Sequence, residues 1–120
     1  MYKKSSINID ILLGEDKVPE NISWKATDSS AEGLQRANAM ILSFWDNADK
    51  STLRIDLWTR NMNLDEMTGF YYQVFLGMAD TYHRATKDVE MREEIRKFAL
   101  EFLKKYRAKQ EVASPEVKKQ

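Results

Sequence analysis

Residues 64–84 constrain the fold of this chain most strongly, because they predict a helix with more apolar surface than one neighbouring element can cover. On a helical wheel, seven apolar side chains fall in one stripe: Leu64, Met67, Tyr71, Val74, Phe75, Met78 and Tyr82. Four more widen that stripe: Phe70, Tyr72, Leu76 and Ala79. The apolar arc then spans roughly 240°, whereas a surface helix usually shows little more than about 100°. We expect this helix to be sandwiched within its own domain or covered by a partner.

The composition fits one small domain and excludes several classes of function. The chain has 120 residues with 19 basic and 19 acidic side chains, so no net field attracts nucleic acid or an anionic membrane. It has no cysteine and a single histidine, which excludes disulfides, thiolate nucleophiles and zinc sites built on Cys or several His ligands. The start of the chain lacks the unbroken apolar run of a secretory signal. No apolar run in the sequence is long enough to cross a bilayer. We therefore expect a cytoplasmic protein without a cofactor.

Three segments alternate apolar and polar side chains, as strands with one buried face do. The first two, at 7–13 and 22–26, are joined by a turn-rich connection and predict an antiparallel hairpin. A third strand is predicted over Thr52–Thr59. Its two faces are Leu53, Ile55 and Leu57 on one side, and Arg54, Asp56 and Trp58 on the other.

The segment between the second and third strands fits two structures. Its apolar side chains recur at helical spacing: Leu34, Ala37, Ile41, Phe44 and Trp45. This spacing favours a helix over 31–45. Residues 40–46, followed by the turn-like sequence at 47–50, could instead form a strand and a turn that lead into the next strand. The helical pattern is the cleaner of the two, so the helix is the primary prediction.

Two long helices are predicted in the second half of the chain. Asn63 with Glu66 three residues later is a variant of the capping box, and it begins a helix that runs to about residue 85. This helix is predicted to end at Thr86-Lys87-Asp88, and the same residues cap the start of the next helix. A last helix follows over about 88–107, with charged residues on its outer face. The apolar residues of its other face are expected to be buried: Met91, Ile95, Phe98, Phe102 and Tyr106.

The element order β-β-α-β-α-α predicts an α+β domain over 1–107. A right-handed crossover would place the third strand beside the first. The result is a small antiparallel three-stranded sheet in the order 2-1-3, packed against the two long C-terminal helices. The polar residues 108–120 are expected to form a disordered tail.

The sequence contains few residues in patterns that are typical of catalytic sites. His83 could act as a general base, but no carboxylate at useful spacing marks a dyad, and interaction with the helix dipole is the commoner role. Asp46 and Asp49 lack the pattern of a calcium loop. Gly69 and Gly77 lie outside any phosphate-binding motif, and their place inside a helix favours close packing of another backbone. We predict no catalytic, cofactor-binding or metal-binding residues. A small enzyme with a pocket at His83 is kept as an alternative.

Four residues are candidates for contact with a protein partner: Trp58, Tyr72, Leu76 and His83. Trp58 lies opposite the apolar face of its strand, so it either packs beneath a helix on the second face of the sheet or is exposed. An exposed tryptophan is a typical interface anchor. Tyr72 and Leu76 lie beside the main stripe of the long helix, where one covering neighbour would leave them accessible.

Four segments carry strings that point to a known family: Val18–Ala26, Leu42–Asp46, Leu53–Thr59 and Met78–Tyr82. The Ile-Asp-Leu-Trp-Thr and Met-Ala-Asp-Thr strings are the most specific. In these residues the chain resembles the gliding-motility GldC family of Bacteroidetes, over most of its length before the tail. The resemblance implies a small cytoplasmic accessory protein of the gliding machinery, with no assigned enzymatic activity, cofactor or binding motif.

We therefore expect a non-catalytic adaptor or stabilising subunit of a motility or secretion-linked assembly, binding a protein partner through the face with Tyr72 and Leu76. The alternative is a cytoplasmic chaperone for a secreted or membrane-associated client, because a methionine-rich apolar helix pair suits varied partners. An adaptor binds one folded partner, whereas a chaperone binds many unfolded chains. A homodimer is left open by either hypothesis.

Overall fold

A computed structural model describes residues 2–28 and 33–113 of the chain. Its contacts group the chain into two units, Met1–Asn63 and Leu64–Gln120. Among the described residues, the strands lie in the first unit and the helices in the second. The sequence predicted one domain over 1–107, whereas the contacts divide the chain between Asn63 and Leu64.

The first sheet confirms the predicted hairpin and adds a short third strand. It contains three antiparallel strands in sequence order: β1 (Ile7–Leu13), β2 (Pro19–Ala26) and β3 (Gln35–Ala37). Ile9 lies opposite Trp24 and Ile11 opposite Ile22. Since cross-strand partners share a face, one side of this sheet is apolar, and Ile22 is its buried centre.

The second sheet is a two-stranded antiparallel hairpin of β4 (Ala39–Asp46) and β5 (Ser51–Trp58). It shows that the predicted helix over 31–45 is wrong: 35–37 and 39–46 are strands, and 31–32 lie outside the described residues. The alternative strand and turn is the structure observed. The turn closes where the Lys50 amide donates to the Asp46 carbonyl at 2.9 Å.

The predicted strand order 2-1-3 is corrected as well. Because the segment 39–46 is a strand, it supplies the neighbour that β5 pairs with, and β5 does not pair with β1. Apolar residues occupy nearly every position of this segment, so the spacing fits a helix and a strand alike. The apolar strand β5 across the turn decides in favour of a strand, because it pairs with this segment and places Ile55 opposite Leu42.

Asn38 joins β3 to β4, so one stretch of chain contributes to both sheets. The Thr59 amide donates to the Asn38 carbonyl at 2.8 Å. Thr59 is buried, and it directly follows the last residue of β5. The end of β5 is therefore fixed at the junction of the two sheets.

The second unit is an antiparallel hairpin of α1 (Leu64–Thr86) and α2 (Val89–Ala113). The predicted α+β class with two long C-terminal helices is confirmed. The helix α2 continues six residues beyond its predicted end at 107, into the segment expected to be a tail. Residues 114–120 lie outside the described residues. The predicted packing of a sheet against the helices stays a prediction.

The two residues between the helices, Lys87 and Asp88, end α1 and cap α2 as the sequence predicted. Lys87 adopts a left-handed backbone conformation with φ 62°, and its amide donates to the His83 carbonyl at 2.7 Å. This is the single-bond left-handed cap of a helix end. Asp88 then caps α2, because its Oδ1 accepts the Met91 amide at 3.0 Å.

The helical hairpin has a narrow core. Ala79 of α1 and Ala99 of α2 are fully buried, so the backbones approach closely there. Phe75 contacts Phe98 and Phe102 edge-on, with 5.3 Å between ring centroids in each pair. Two helices cover only one strip of each other, and three residues of the predicted apolar arc of α1 are exposed: Leu64, Met78 and Tyr82.

Candidate protein-interaction surfaces

One face of the α1–α2 hairpin carries a connected row of aromatic rings. Along α1, ring centroids lie 6.3 Å apart for Phe70 and Tyr71 and 6.2 Å apart for Tyr71 and Phe75. The row continues onto α2 through the contacts of Phe75 with Phe98 and Phe102. The edge-to-face geometry of these pairs is favourable beyond the apolar area that they bury. The rings therefore fix the two helices together and give this face a defined shape.

Large side chains flank this row and stay exposed. Met78 and Tyr82 lie three and seven residues after Phe75, and Met91 lies seven residues before Phe98, so all of them share the face. Met78 and Phe98 are each 56% exposed, and Tyr82 and Met91 are exposed as well. We call Met78, Tyr82, Met91 and Phe98 the aromatic–methionine face.

An open groove runs along α1 beside this face. It is lined by Val74, Gly77, Met78, Thr81, Tyr82 and Ala85. Apart from the neighbouring residues and the nearby backbone of α1 itself, no described atom lies within 4 Å of the position that a Cβ at Gly77 would take. The close backbone packing that the sequence suggested for Gly77 is therefore not found within the described residues. The glycine instead lies at the open bottom of the groove.

Polar contacts hold the opposite side of the hairpin. The Tyr106 hydroxyl donates to Asp65 Oδ1 at 2.5 Å, and Arg96 Nη1 lies 3.4 Å from Asp80 Oδ1. The hydrogen bond to Asp65 raises the pKa of Tyr106 above its ordinary value. The two sides of the hairpin thus differ in character, one aromatic and open, the other bridged by hydrogen bonds and an ion pair.

Three of the predicted contact residues lie together on α1. Tyr72, Leu76 and His83 follow one strip of the helix at spacings of four and seven residues. All three are half-buried. The strip is turned by roughly 120° from Met78 and Tyr82 around the helix. The structure therefore groups these three residues but keeps them apart from the aromatic–methionine face.

The fourth predicted residue, Trp58, belongs to the β-sheet unit. It ends β5 opposite Ala39 and is 55% exposed. Its side chain lies on the other face of the strand from Leu57 and Ile55, as the alternation predicted. An open groove beside Trp58 is lined by Lys17, Val18, Pro19, Asp56 and Leu57.

A second exposed apolar surface lies on the β4–β5 hairpin. Three cross-strand pairs form it: Met40 with Leu57, Leu42 with Ile55, and Phe44 with Leu53. Partners across antiparallel strands share a face, so these six side chains are contiguous. Phe44, Leu53 and Ile55 are exposed. A two-stranded hairpin alone is marginally stable in water, so we expect further contacts on this surface.

Arg60 forms an ion-pair cluster in the same unit. Its Nη2 contacts Asp16 Oδ2, and its Nε lies 3.6 Å from Glu20 Oε1. The hydrogen bond from Arg60 holds the pKa of Asp16 below its ordinary value, and the pKa of Arg60 is raised in return. The cluster ties the chain after β5 to the β1–β2 turn.

The sequence did not predict the aromatic–methionine face as a contact surface. The sequence predicts that the apolar arc of α1 is covered by its own domain or by a partner, and that Met91 and Phe98 of α2 are buried. A usable signal was present, however, because the apolar positions of the two helices together exceed what one helix–helix seam can bury. The excess of apolar residues predicts that one face of the helical hairpin is exposed. It does not tell on which side of the α1–α2 contact that face lies.

Within residues 2–28 and 33–113, no group of three or more His, Asp or Glu side chains is placed to hold a metal ion. In the same part of the chain, no helix combines the length and the apolar character that a bilayer crossing needs. The described surfaces do offer contiguous exposed apolar and aromatic area, which is typical of protein–protein contact sites.

Comparison with known proteins identifies a family. A family model described as "Gliding motility-associated protein GldC-like" matches residues 19–108 of this chain. The matched region extends from the start of β2 into the last third of α2. No curated protein and no solved structure matches the chain. The family match confirms the resemblance carried by the sequence strings.

Proposed function

Because this chain belongs to the family of GldC-like gliding motility-associated proteins, we propose that it is a non-catalytic accessory protein that binds another protein of a motility assembly. The observation that carries this proposal is the aromatic–methionine face. It presents Met78 and Phe98 at high exposure on two helices that contact each other. Large contiguous apolar patches on a small protein mark contact sites. We place this function in the cytoplasm.

The shape of this face indicates the kind of partner that it fits. The groove beside Gly77 lies alongside exposed Met78 and Tyr82. An elongated apolar element of the partner, such as the apolar side of an amphipathic helix, would bury these side chains together. Methionine side chains adjust their shape at low cost, and the aromatic row beneath them supplies a fixed base. The predicted strip of Tyr72, Leu76 and His83, and separately Trp58, are further contact candidates.

The test combines deletion of the gene in the source cell with complementation by point variants. Met78→Asp and Phe98→Asp should abolish gliding, since each puts a charge into the proposed contact. Gln73→Asp on α1 and Lys97→Asp on α2 are matched controls, because both residues are exposed away from this face. These controls should restore gliding. All variants should first show wild-type circular dichroism.

Three outcomes would contradict the proposal. If the deletion leaves gliding unchanged, the chain does not act in motility. If Phe98→Asp glides normally while Leu76→Asp or Trp58→Ala does not, the contact lies on the strip or strand predicted from the sequence. A measured loss of a small-molecule reaction in the deletion strain, restored by wild type, would favour an enzyme.

A chaperone for a secreted or membrane-associated client is the second candidate. The exposure of Met78 and Met91 favours it, because flexible thioether side chains suit binding to varied sequences. Addition of the purified protein to a chemically unfolded, unrelated client distinguishes the two functions. A chaperone suppresses the aggregation of several such clients, whereas an accessory protein of one assembly suppresses none.

A further inference from the structure

The strand β5 has one edge that no other strand of residues 2–28 and 33–113 pairs with. Its other edge pairs with β4, and seven of its eight residues are exposed. Natural edge strands are commonly blocked by proline, by charged side chains, above all lysine, or by a β-bulge. Residues 51–58 contain neither proline nor lysine, the β4–β5 pairing has no register shift, and the charged residues of the strand are Arg54 and Asp56. The free edge of β5 is therefore available to another strand.

The charges on this strand are arranged symmetrically about one residue. Arg54 and Asp56 flank Ile55 on the face away from the apolar pairs. In the single chain they form an exposed ion pair with 2.8 Å between Arg54 Nη2 and Asp56 Oδ2. If two copies of β5 pair antiparallel with Ile55 opposite Ile55, each Arg54 lies opposite Asp56 of the other copy. The strand is thus complementary to itself in charge.

Neighbouring registers do not share this complementarity. A shift by two residues in one direction places Arg54 opposite Arg54, and in the other direction it places Asp56 opposite Asp56. Like charges directly opposite each other destabilise a sheet. A shift by one residue places the apolar face against the charged face. The register centred on Ile55 also sets Leu53 opposite Leu57, so the apolar faces of the two copies join.

We propose that the occupant of this edge is a second copy of the chain, paired antiparallel through β5 with Ile55 on the twofold axis. The resulting sheet has four strands in the order β4-β5-β5-β4. Charge complementarity selects a second copy over an unrelated strand. Among the edge strands of the described residues, only β5 carries both a basic and an acidic side chain, since the charged residues of β1, β3 and β4 are Asp10, Arg36 and Asp46, one in each. This surface is separate from the aromatic–methionine face and extends the proposed function.

Charge reversal tests the proposed register directly. The mass of each variant is measured by light scattering across a concentration series, and wild type should reach twice the chain mass of 14.1 kDa. Arg54→Asp places two acids opposite each other, and Asp56→Arg places two bases. Each single variant should weaken the dimer at least tenfold. The double variant with both changes restores opposite charges at both pairs and should dimerise as wild type does.

Mixing the two single variants gives the sharpest readout. One carries acids at both positions and the other carries bases, so together they should form a heterodimer although neither forms a homodimer. The control is Lys25→Asp, a charge reversal at an exposed position of the central strand β2, which should leave the dimer unchanged. Circular dichroism confirms that every variant is folded.

Several results would overturn the proposal. A wild-type chain that stays monomeric at all concentrations would mean that another protein or no strand occupies the edge. If both single charge-reversal variants still dimerise, the two chains associate through a different surface. Failure of the double variant and of the mixture to associate would show that the charges do not face each other in this register.

Discussion

Tyr106 donates a hydrogen bond to Asp65 across the helical hairpin, with 2.5 Å between the phenol oxygen and Asp65 Oδ1. The two residues lie 41 positions apart in the sequence, so the bond holds the start of α1 against the last third of α2. The neighbouring carboxylate favours the protonated phenol. This hydrogen bond is the main reason why the pKa of Tyr106 is raised.

Removal of the acceptor should therefore lower the pKa of Tyr106. In Asp65→Ala, we expect it to fall toward the ordinary value of 10.0, as measured by NMR titration of labelled tyrosine ring carbons. Since the folded state raises this pKa, its contribution to stability is complete below pH 10.0 and is lost as the pH rises through the folded value. Glu101→Gln, at an exposed position of α2, is the control. An unchanged Tyr106 titration in Asp65→Ala would contradict the assignment.

Asp16 should show the opposite dependence on pH. In Arg60→Met, we expect the pKa of Asp16 to rise toward its ordinary value of 3.8, as followed by NMR of labelled carboxyl carbons. Because the folded state lowers this pKa, its contribution to stability is present above pH 3.8 and is lost as the pH falls through the folded value. Lys25→Met on β2 should leave the titration as it is. If the pKa of Asp16 rises equally in both variants, the cause is the change in net charge of the protein and not the loss of the Arg60 contact.

The turn between the helices should gain stability from glycine. Lys87 has φ 62°, a conformation that costs an L-residue about 1 kcal/mol or more and glycine little. We expect Lys87→Gly to raise the free energy of unfolding in urea by about 0.5–1 kcal/mol, after the larger entropy loss of glycine is included. Lys97→Gly in the interior of α2 is the matched control and should lower it by about 1 kcal/mol. A loss of stability in both variants would mean that Lys87 is not left-handed in solution.

Gly77 should tolerate a side chain in the isolated protein. Beyond the neighbouring residues and the nearby backbone of α1, a Cβ there meets no described atom within 4 Å. Gly77→Ala should therefore raise the free energy of unfolding by about 1 kcal/mol through helix propensity alone. Ala79, two residues away, is fully buried, and Ala79→Leu should lower it by about 1–3 kcal/mol through overpacking. Urea unfolding checks both values. Destabilisation by Gly77→Ala would show that another backbone fills the groove in solution.

Local signals in the sequence were sufficient to predict most of the strands and helices. Alternation identified β1, β2 and β5, because each has one apolar and one polar face. Both long helices began and ended close to their predicted positions, since caps such as Asp88 act within a single turn. The exception is the end of α2, which continues to Ala113 through residues too polar to show an apolar stripe.

The segment 35–46 could not be assigned by periodicity. Apolar side chains at nearly every position of β4 satisfy a helical and an alternating pattern alike. The outcome depends on a contact outside the segment, the pairing of Leu42 with Ile55 across the turn. The same limit applies to the candidate surface. Met91 and Phe98 match core positions on a wheel, and only the absence of a covering element among the described residues of their unit leaves them exposed.

The order in which these elements pair has a consequence for how the chain folds. In each hairpin, the two arms are neighbours in the sequence: β1 with β2, β4 with β5, and α1 with α2. Such low contact order favours fast folding, and a β-hairpin alone forms in about 1–10 μs. Each hairpin can thus close as soon as its second arm leaves the ribosome, before the rest of the chain is made. For the proposed pairing of two chains through β5, association would then be the slow, concentration-dependent step of maturation.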